Sequence, residues 1–163
     1  MKRLKVYLDT SIISFIFAED SPEKQEITKE FFGGYIELYD VYISNLVIAE
    51  INNTVDAHLK AQLKSVITAY SLKTIHISDD DQEILFYLAN SYIKNKIIPR
   101  RKFDDAMHIA IAVYYEFDIL LSWNFKHLAN IKKQMEVNSL NKKEGYNKEL
   151  YLLNPMEAIY EKD

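Results

Sequence analysis

The chain has no cysteine. That excludes a disulfide framework, a thiolate nucleophile and a cysteine-ligated zinc site, and it suits a reducing cytoplasm. Glycine and proline are scarce, at three residues each in 163. An all-β protein with many tight turns needs more of both, so long helices with short connections are expected. No apolar run reaches the ~18 residues of a membrane-spanning helix, so no membrane span is expected. The opening "MKRLKVYLDTSIISFIF" starts with positive charge as a secretory signal does, but Asp9 interrupts its apolar run and no small-residue cleavage site follows. It therefore reads as the first strand of the fold. A Gly-rich phosphate loop, an HExxH pair and a Ser/His/Asp order are also missing, which leaves kinase, zinc-protease and acyl-transfer chemistry without support. The formal net charge is −4. A globally basic nucleic-acid binder is excluded, and any affinity for phosphate must be local.

What is present is a regular alternation. "KVYLD" (Lys5–Asp9) and "VYIS" (Val41–Ser44) are short apolar, partly β-branched runs, read as buried strands. "LKTIHIS", "FDILLSW" (Phe117–Trp123) and "LYLL" read the same way. Between them lie segments of helical period. "TSIISFIF" starts a helix with Thr10 or Ser11 as its cap, and "SPEKQEITKEFFGGYIELY" is a helix broken near Gly33-Gly34. "NLVIAEINNT", "AHLKAQLKSVITAY", "DDDQEILFYLANSYIKNK" and "DDAMHIAIAVYYE" follow, with a short helix after Pro155 at the end. The lysine-rich stretch Lys132–Lys148 reads as a loop or short irregular helix. Strands alternating with helices imply a central parallel sheet covered on both faces, a three-layer α/β/α sandwich, with the functional site at the C-terminal strand ends. With no repeat and no linker, residues 1–163 are read as one domain.

Acids collect at that sheet edge. Asp9 ends the first strand, Glu50 lies on the helix after the second, and Asp104 and Asp105 open the helix before "FDILLSW", which Asn124 follows. Converging carboxylates without cations repel one another, and a hard divalent ion with oxygen ligands, Mg²⁺ or Mn²⁺, is the usual remedy. Such a site suits phosphodiester hydrolysis. Neighbouring helical residues point about 100° apart, so Asp104 and Asp105 are not equivalent. One of the two is the expected helix cap. His108 reads as a packing or hydrogen-bonding residue. The segment Tyr92–Phe103, "YIKNKIIPRRKF", carries five cations and no acid, so Arg100, Arg101 and Lys102 are candidate contacts for a nucleic-acid backbone.

The stretches "YLDTSIIS", "SNLVIAEI", "DDAMHIAIA" and "ILLSWNFKHLAN", with the closing "LLNPMEAI", resemble the motifs of the PIN-domain nucleases, in particular the VapC-like ribonuclease toxins of prokaryotic toxin–antitoxin pairs. The resemblance implies a PIN-like α/β/α fold and a Mg²⁺- or Mn²⁺-dependent endoribonuclease in which Asp9, Glu50 and Asp105 match the metal-binding acids. Thr10 and Ser11 match the hydroxyl positions beside the first acid, and with Asp105 matched as the ligand, Asp104 is expected to be the helix cap, an auxiliary ligand being its alternative role. It further implies an RNA substrate, a small antitoxin partner, a homodimer and a cytoplasmic location. The fourth acid position is Asn124 here, an amide that brings no charge. That departure sustains an alternative, a catalytically weak PIN-like module that binds RNA or protein, and nothing in the residues separates RNA from DNA as substrate.

Overall fold

The computed structural model describes residues 2–160. Five strands, β1 (Lys5–Leu8), β2 (Asp40–Ser44), β3 (Lys73–Ile75), β4 (Ile119–Leu121) and β5 (Tyr151–Leu153), form one sheet in the order β3-β2-β1-β4-β5 with every pairing parallel. Helices α1 (Thr10–Ser14), α2 (Pro22–Glu30), α3 (Asn45–Asn52), α4 (Ala57–Ala69), α5 (Asp79–Lys94), α6 (Phe103–Tyr114), α7 (Ile131–Lys143) and α8 (Pro155–Ala158) flank it, the α/β/α arrangement expected from the alternation. Parallel strands covered on both faces are apolar throughout rather than alternating. Accordingly Val6, Tyr7 and Leu8 of β1 and all three residues of β4 are buried.

The chain first builds outward from β1 to β2 and β3, then returns to the other side of β1 to lay down β4 and β5. The direction of winding therefore reverses between β1 and β4, and a crevice opens at their C-terminal ends. Residues leaving β1 and β4 face each other across it.

α6 is buried from Ala106 to Val113 and packs against α5 and β4. A helix apolar all round belongs inside, and its alanines allow close approach. The helix expected to break at Gly33-Gly34 does not break: α2 widens into a π-type turn over Phe31–Tyr35 and tightens again before β2. The lysine-rich stretch is also a correction, since it forms the regular helix α7, capped by the Asn130 side chain. Its period was hidden because amides occupy much of its inner face. Asn138 pairs with both the N–H and C=O of Leu150, and Gln134 accepts from Leu152 N–H. Two backbone N–H groups on the edge running into β5 are thereby satisfied.

Glycine scarcity shows at the helix ends. Ser71, Lys96 and Glu116 adopt left-handed φ of 50°, 61° and 59°. Each follows the C-cap of α4, α5 or α6. In all three the same paired bonds close the last turn, as with Ile97 N–H to Tyr92 C=O and Lys96 N–H to Ile93 C=O after α5. This is the closure that glycine usually provides, and only α7 uses one, Gly145, at φ 92°.

Candidate active site

Asp9 stands immediately after β1, in the crevice. It is 5% exposed and caps α1, accepting from Ser11 N–H at 3.0 Å. This corrects the expectation that Thr10 or Ser11 is the cap. Ser11 Oγ donates to the same Asp9 oxygen at 2.5 Å, and Ser122 Oγ, just past β4, donates to the other at 2.5 Å. Ser11 Oγ accepts in turn from Trp123 N–H and Ser122 Oγ from Asn124 N–H, so the two loops at the crevice are stitched through the Asp9 carboxylate.

Glu50 arrives on α3, where Thr10 Oγ1 donates to its Oε1 at 2.9 Å and His108 Nε2 meets the same oxygen at 2.6 Å. His108, on the buried face of α6, is 2% exposed. Its Nδ1 lies 2.7 Å from the Tyr7 hydroxyl, which lies 2.8 Å from Ser44 Oγ. A buried chain from β2 through β1 and α6 thus ends on Glu50. Asp105, in the first turn of α6, accepts from the Asn124 amide at 3.0 Å, while the Asn124 carbonyl accepts from His127 N–H. Asn124 therefore brings an N–H donor to Asp105, and its carbonyl is already engaged. Asp104 is exposed and is not a cap: Lys102 occupies the N-cap of α6 and makes no side-chain capping bond. Glu50, Asp104 and Asp105 line a cavity of about 310 Å³ with Arg101, Lys102 and Phe103. Arg100 turns to a neighbouring cleft.

The electrostatics follow from burial and mutual repulsion. Burial pushes the Asp9 carboxyl above its ordinary range, the Asp105 charge adds to this, and His108 with the serine hydroxyls opposes it. Burial likewise raises Asp105, helped by Glu50 and Asp104 and opposed by His108 and Lys102. Burial works to raise Glu50 too, but the hydrogen bond and charge of His108 outweigh it and hold that carboxyl below the usual range. Burial would lower His108, yet Glu50, Asp9 and Asp105 together raise it. His108 thus faces all three acids, and each of them favours its protonated form. Tyr7, His108, Ser44 and Ser122 are the members that sequence reasoning assigned no place in this site, since each is an ordinary core or turn residue until its distant partner is known.

The family model of the PIN domain matches residues 6–132. The chain belongs to the PIN domain family. Among solved structures, this PIN fold matches VapBC2 from Rickettsia felis, determined bound to a DNA fragment from their promoter. The match has 15% identity and a TM-score of 0.55, and covers 93% of this chain and 98% of that one. The sarcin–ricin loop cleaving toxin VapC20 of Mycobacterium tuberculosis matches at 13% identity and a TM-score of 0.49, over 71% of this chain and 87% of that one. No curated protein matches the sequence.

The donors at this PIN site are all oxygens apart from His108, as a hard divalent cation prefers. Among the described residues Glu50 Oε2 and Asp105 Oδ1 accept no hydrogen bond, and both carboxylates border the open cavity. Their chemistry fits such an ion. They are not a finished cage, because no group of three or more His, Cys, Asp or Glu side chains among the described residues is placed to hold a metal ion. Both Asp9 oxygens are engaged by serine donors, so Asp9 would join through its remaining lone pairs or by releasing a hydroxyl.

Proposed function

We propose that this PIN-domain chain is a divalent-metal-dependent endoribonuclease and the toxin of a VapC-like toxin–antitoxin pair. The observation that carries this reading is the convergence of Asp9, Glu50 and Asp105 at the crevice between β1 and β4. They come from three separate elements, the Asp105 charge opposes that of Asp9 and the Glu50 charge opposes that of Asp105, and the buried His108 imidazole interacts with all three. Glu50 and Asp105 would hold Mg²⁺ or Mn²⁺ at the cavity, with Asp9 behind them. When bound, the ion supplies charge that lowers the pKa of an attacking water and offsets the charge of the phosphodiester. The chain's own residues do the positioning. Thr10 and His108 fix Glu50, Ser11 and Ser122 fix Asp9, and Asn124 orients Asp105. Arg101 and Lys102, on the cavity rim, meet the substrate phosphate. A small antitoxin covering the site, a homodimer, a single folded unit over residues 1–163 and a cytoplasmic location belong to the same reading. Among the described residues no helix is long and apolar enough to cross a membrane.

Asp9→Asn is expected to abolish Mg²⁺-dependent cleavage of single-stranded RNA with the circular dichroism spectrum retained; cleavage at the parent rate in that variant overturns the assignment. The alternative, a PIN-like module that binds without efficient cleavage, is favoured by the uncharged Asn124 and by carboxylates already engaged with internal donors. Calorimetric titration with Mn²⁺ separates the two: heat of binding that disappears in Asp105→Asn supports the nuclease, and no binding at millimolar metal supports the module. Cleavage assays on RNA and DNA of one sequence decide the substrate.

A further inference from the structure

A second cleft of about 470 Å³ lies beside the carboxylate cavity, and its polar lining is Lys96, Arg100, Lys126, His127 and Lys133, with no acid. Its walls come from two loops, with Ile93 of α5 and Lys133 of α7 at their ends. One is the α5–α6 connection, which continues from Arg100 into Arg101 and Lys102 on the rim of the carboxylate cavity. The other is the segment after β4 that also carries Asn124. We propose that this cleft is a track for the sugar–phosphate backbone of a single-stranded RNA, holding phosphates that flank the one positioned at the carboxylates; this rests on the nuclease reading above.

Three observations carry it. First, the cations are not neutralised: among the described residues, none of Lys96, Arg100, Lys126 or Lys133 forms an ion pair. Four unpaired cations in one concavity of a chain with net charge −4 are a local attractor on a surface that otherwise repels polyanions. Their field is felt inside the cleft, where burial lowers the His127 pKa and Lys126, Lys102, Lys133 and Arg101 lower it further. Second, the cleft is braced. Lys133 Nζ donates to the Ile97 carbonyl across it, tying α7 to the α5–α6 connection. Third, it is registered to the acids. His127 N–H donates to the Asn124 carbonyl whose amide holds Asp105, and Leu128 and Ala129 N–H both return to the Asn124 backbone carbonyl. A strand seated on Lys126 and His127 is thereby placed relative to Asp105. The half-buried Ile93 at the cleft and the partly exposed Phe125 ring, which follows Asn124 and packs against Trp123 outside the cleft, are apolar surfaces that the unpaired bases of a single strand can reach and a duplex would not use.

The test is fluorescence anisotropy of a 5′-labelled single-stranded RNA oligonucleotide in EDTA, titrated at several salt concentrations. K96E/K126E is expected to weaken binding at least about 10-fold and to flatten the log Kd against log salt slope by about 1.4, for two lost phosphate contacts at ~0.7 each. K60E/K64E, the same charge change on α4, is expected to stay within about twofold of the parent. Equal losses in both variants, or an unchanged slope in K96E/K126E, overturn the track. So does an acidic peptide whose binding is lost in K96E/K126E while RNA affinity stays intact, since the cleft would then be a protein site. Asp105→Asn keeps the two ideas apart. If the parent and Asp105→Asn alike show no Mg²⁺- or Mn²⁺-dependent cleavage while K96E/K126E still loses RNA affinity, the nuclease reading fails and the track stands.

Discussion

The two ends of the same sheet treat aspartate in opposite ways. At the N-terminal ends of the strands, Asp118 accepts from Lys5 N–H at 2.8 Å and pairs with Lys148 at 3.0 Å, and Asp40 pairs with Lys73 at 2.7 Å. Burial works against the Asp118 charge, but the Lys5 N–H and the Lys148 ammonium hold its carboxyl below the ordinary range. At the C-terminal ends, Asp9 and Asp105 are more deeply placed, meet hydroxyl and amide donors, and are held above that range. Paired acids stabilise the fold. Acids gathered with too little compensating charge cost stability, and the cost marks where an external cation or substrate is to be met.

The largest break in this contrast is expected from exchanging each acid for its amide. Asp105→Asn should lower RNA cleavage by at least about 100-fold, more than an outer-shell partner typically costs, while raising the melting temperature of the metal-free protein. Asp118→Asn should do the reverse, leaving cleavage within about twofold and costing ~1 kcal/mol through the lost negative charge that Lys5 N–H and the Lys148 ammonium meet. Thermal melts in EDTA beside cleavage assays read both, and the same sign of change in stability would dissolve the distinction.

The pH dependence sharpens it further. Asp118, with a lowered pKa, contributes stability that is present above the unfolded carboxylate value of about 4 and lost as pH falls through its folded value. Asp105, with a raised pKa, carries a penalty present above its folded value and relieved as pH falls through it. The melting-temperature gap between parent and Asp105→Asn should therefore close on acidification while pH is still above about 4. The gap for Asp118→Asn should persist to about pH 4 and close only below it.

A smaller effect is expected from the chain that ends on Glu50. Tyr7→Phe removes the hydroxyl between Ser44 and His108. It should reduce cleavage about 10-fold, as the loss of an outer positioning partner does, and destabilise by ~1–3 kcal/mol because a buried imidazole nitrogen loses its partner. Full rescue of cleavage by raised Mn²⁺ without rescue of stability would assign Tyr7 to positioning Glu50. The smallest change belongs to the N-terminal edge. Ser71→Gly relieves a left-handed φ that serine adopts at a cost and should raise stability by ~0.5–1 kcal/mol, read as denaturant midpoint, with cleavage untouched.

Local pattern was enough for much of this. Short apolar runs and helical periods located the strands and most helices, and acids at strand ends located Asp9, Glu50 and Asp105. It was misleading where the inner face of an element is polar. α7 buries Asn138 and Asn141 where a periodic pattern looks for aliphatics. Caps were also misplaced, at α1 and α6, because a cap depends on which side chain reaches the free N–H groups, and Asp9 reached them before Ser11.

That this is an α/β chain with acids at strand ends is legible in short segments, because the periods of 2.0 and 3.6 residues and the chemistry of carboxylates are local properties. What each acid touches was settled by contacts between distant parts of the chain. Tyr7 and His108 are separated by 101 positions, and Asp9 and Ser122 by 113. The reversal of strand order between β1 and β4 brings them within a hydrogen bond of each other. No local pattern records that reversal, because it is settled by how the buried helices cover the whole sheet.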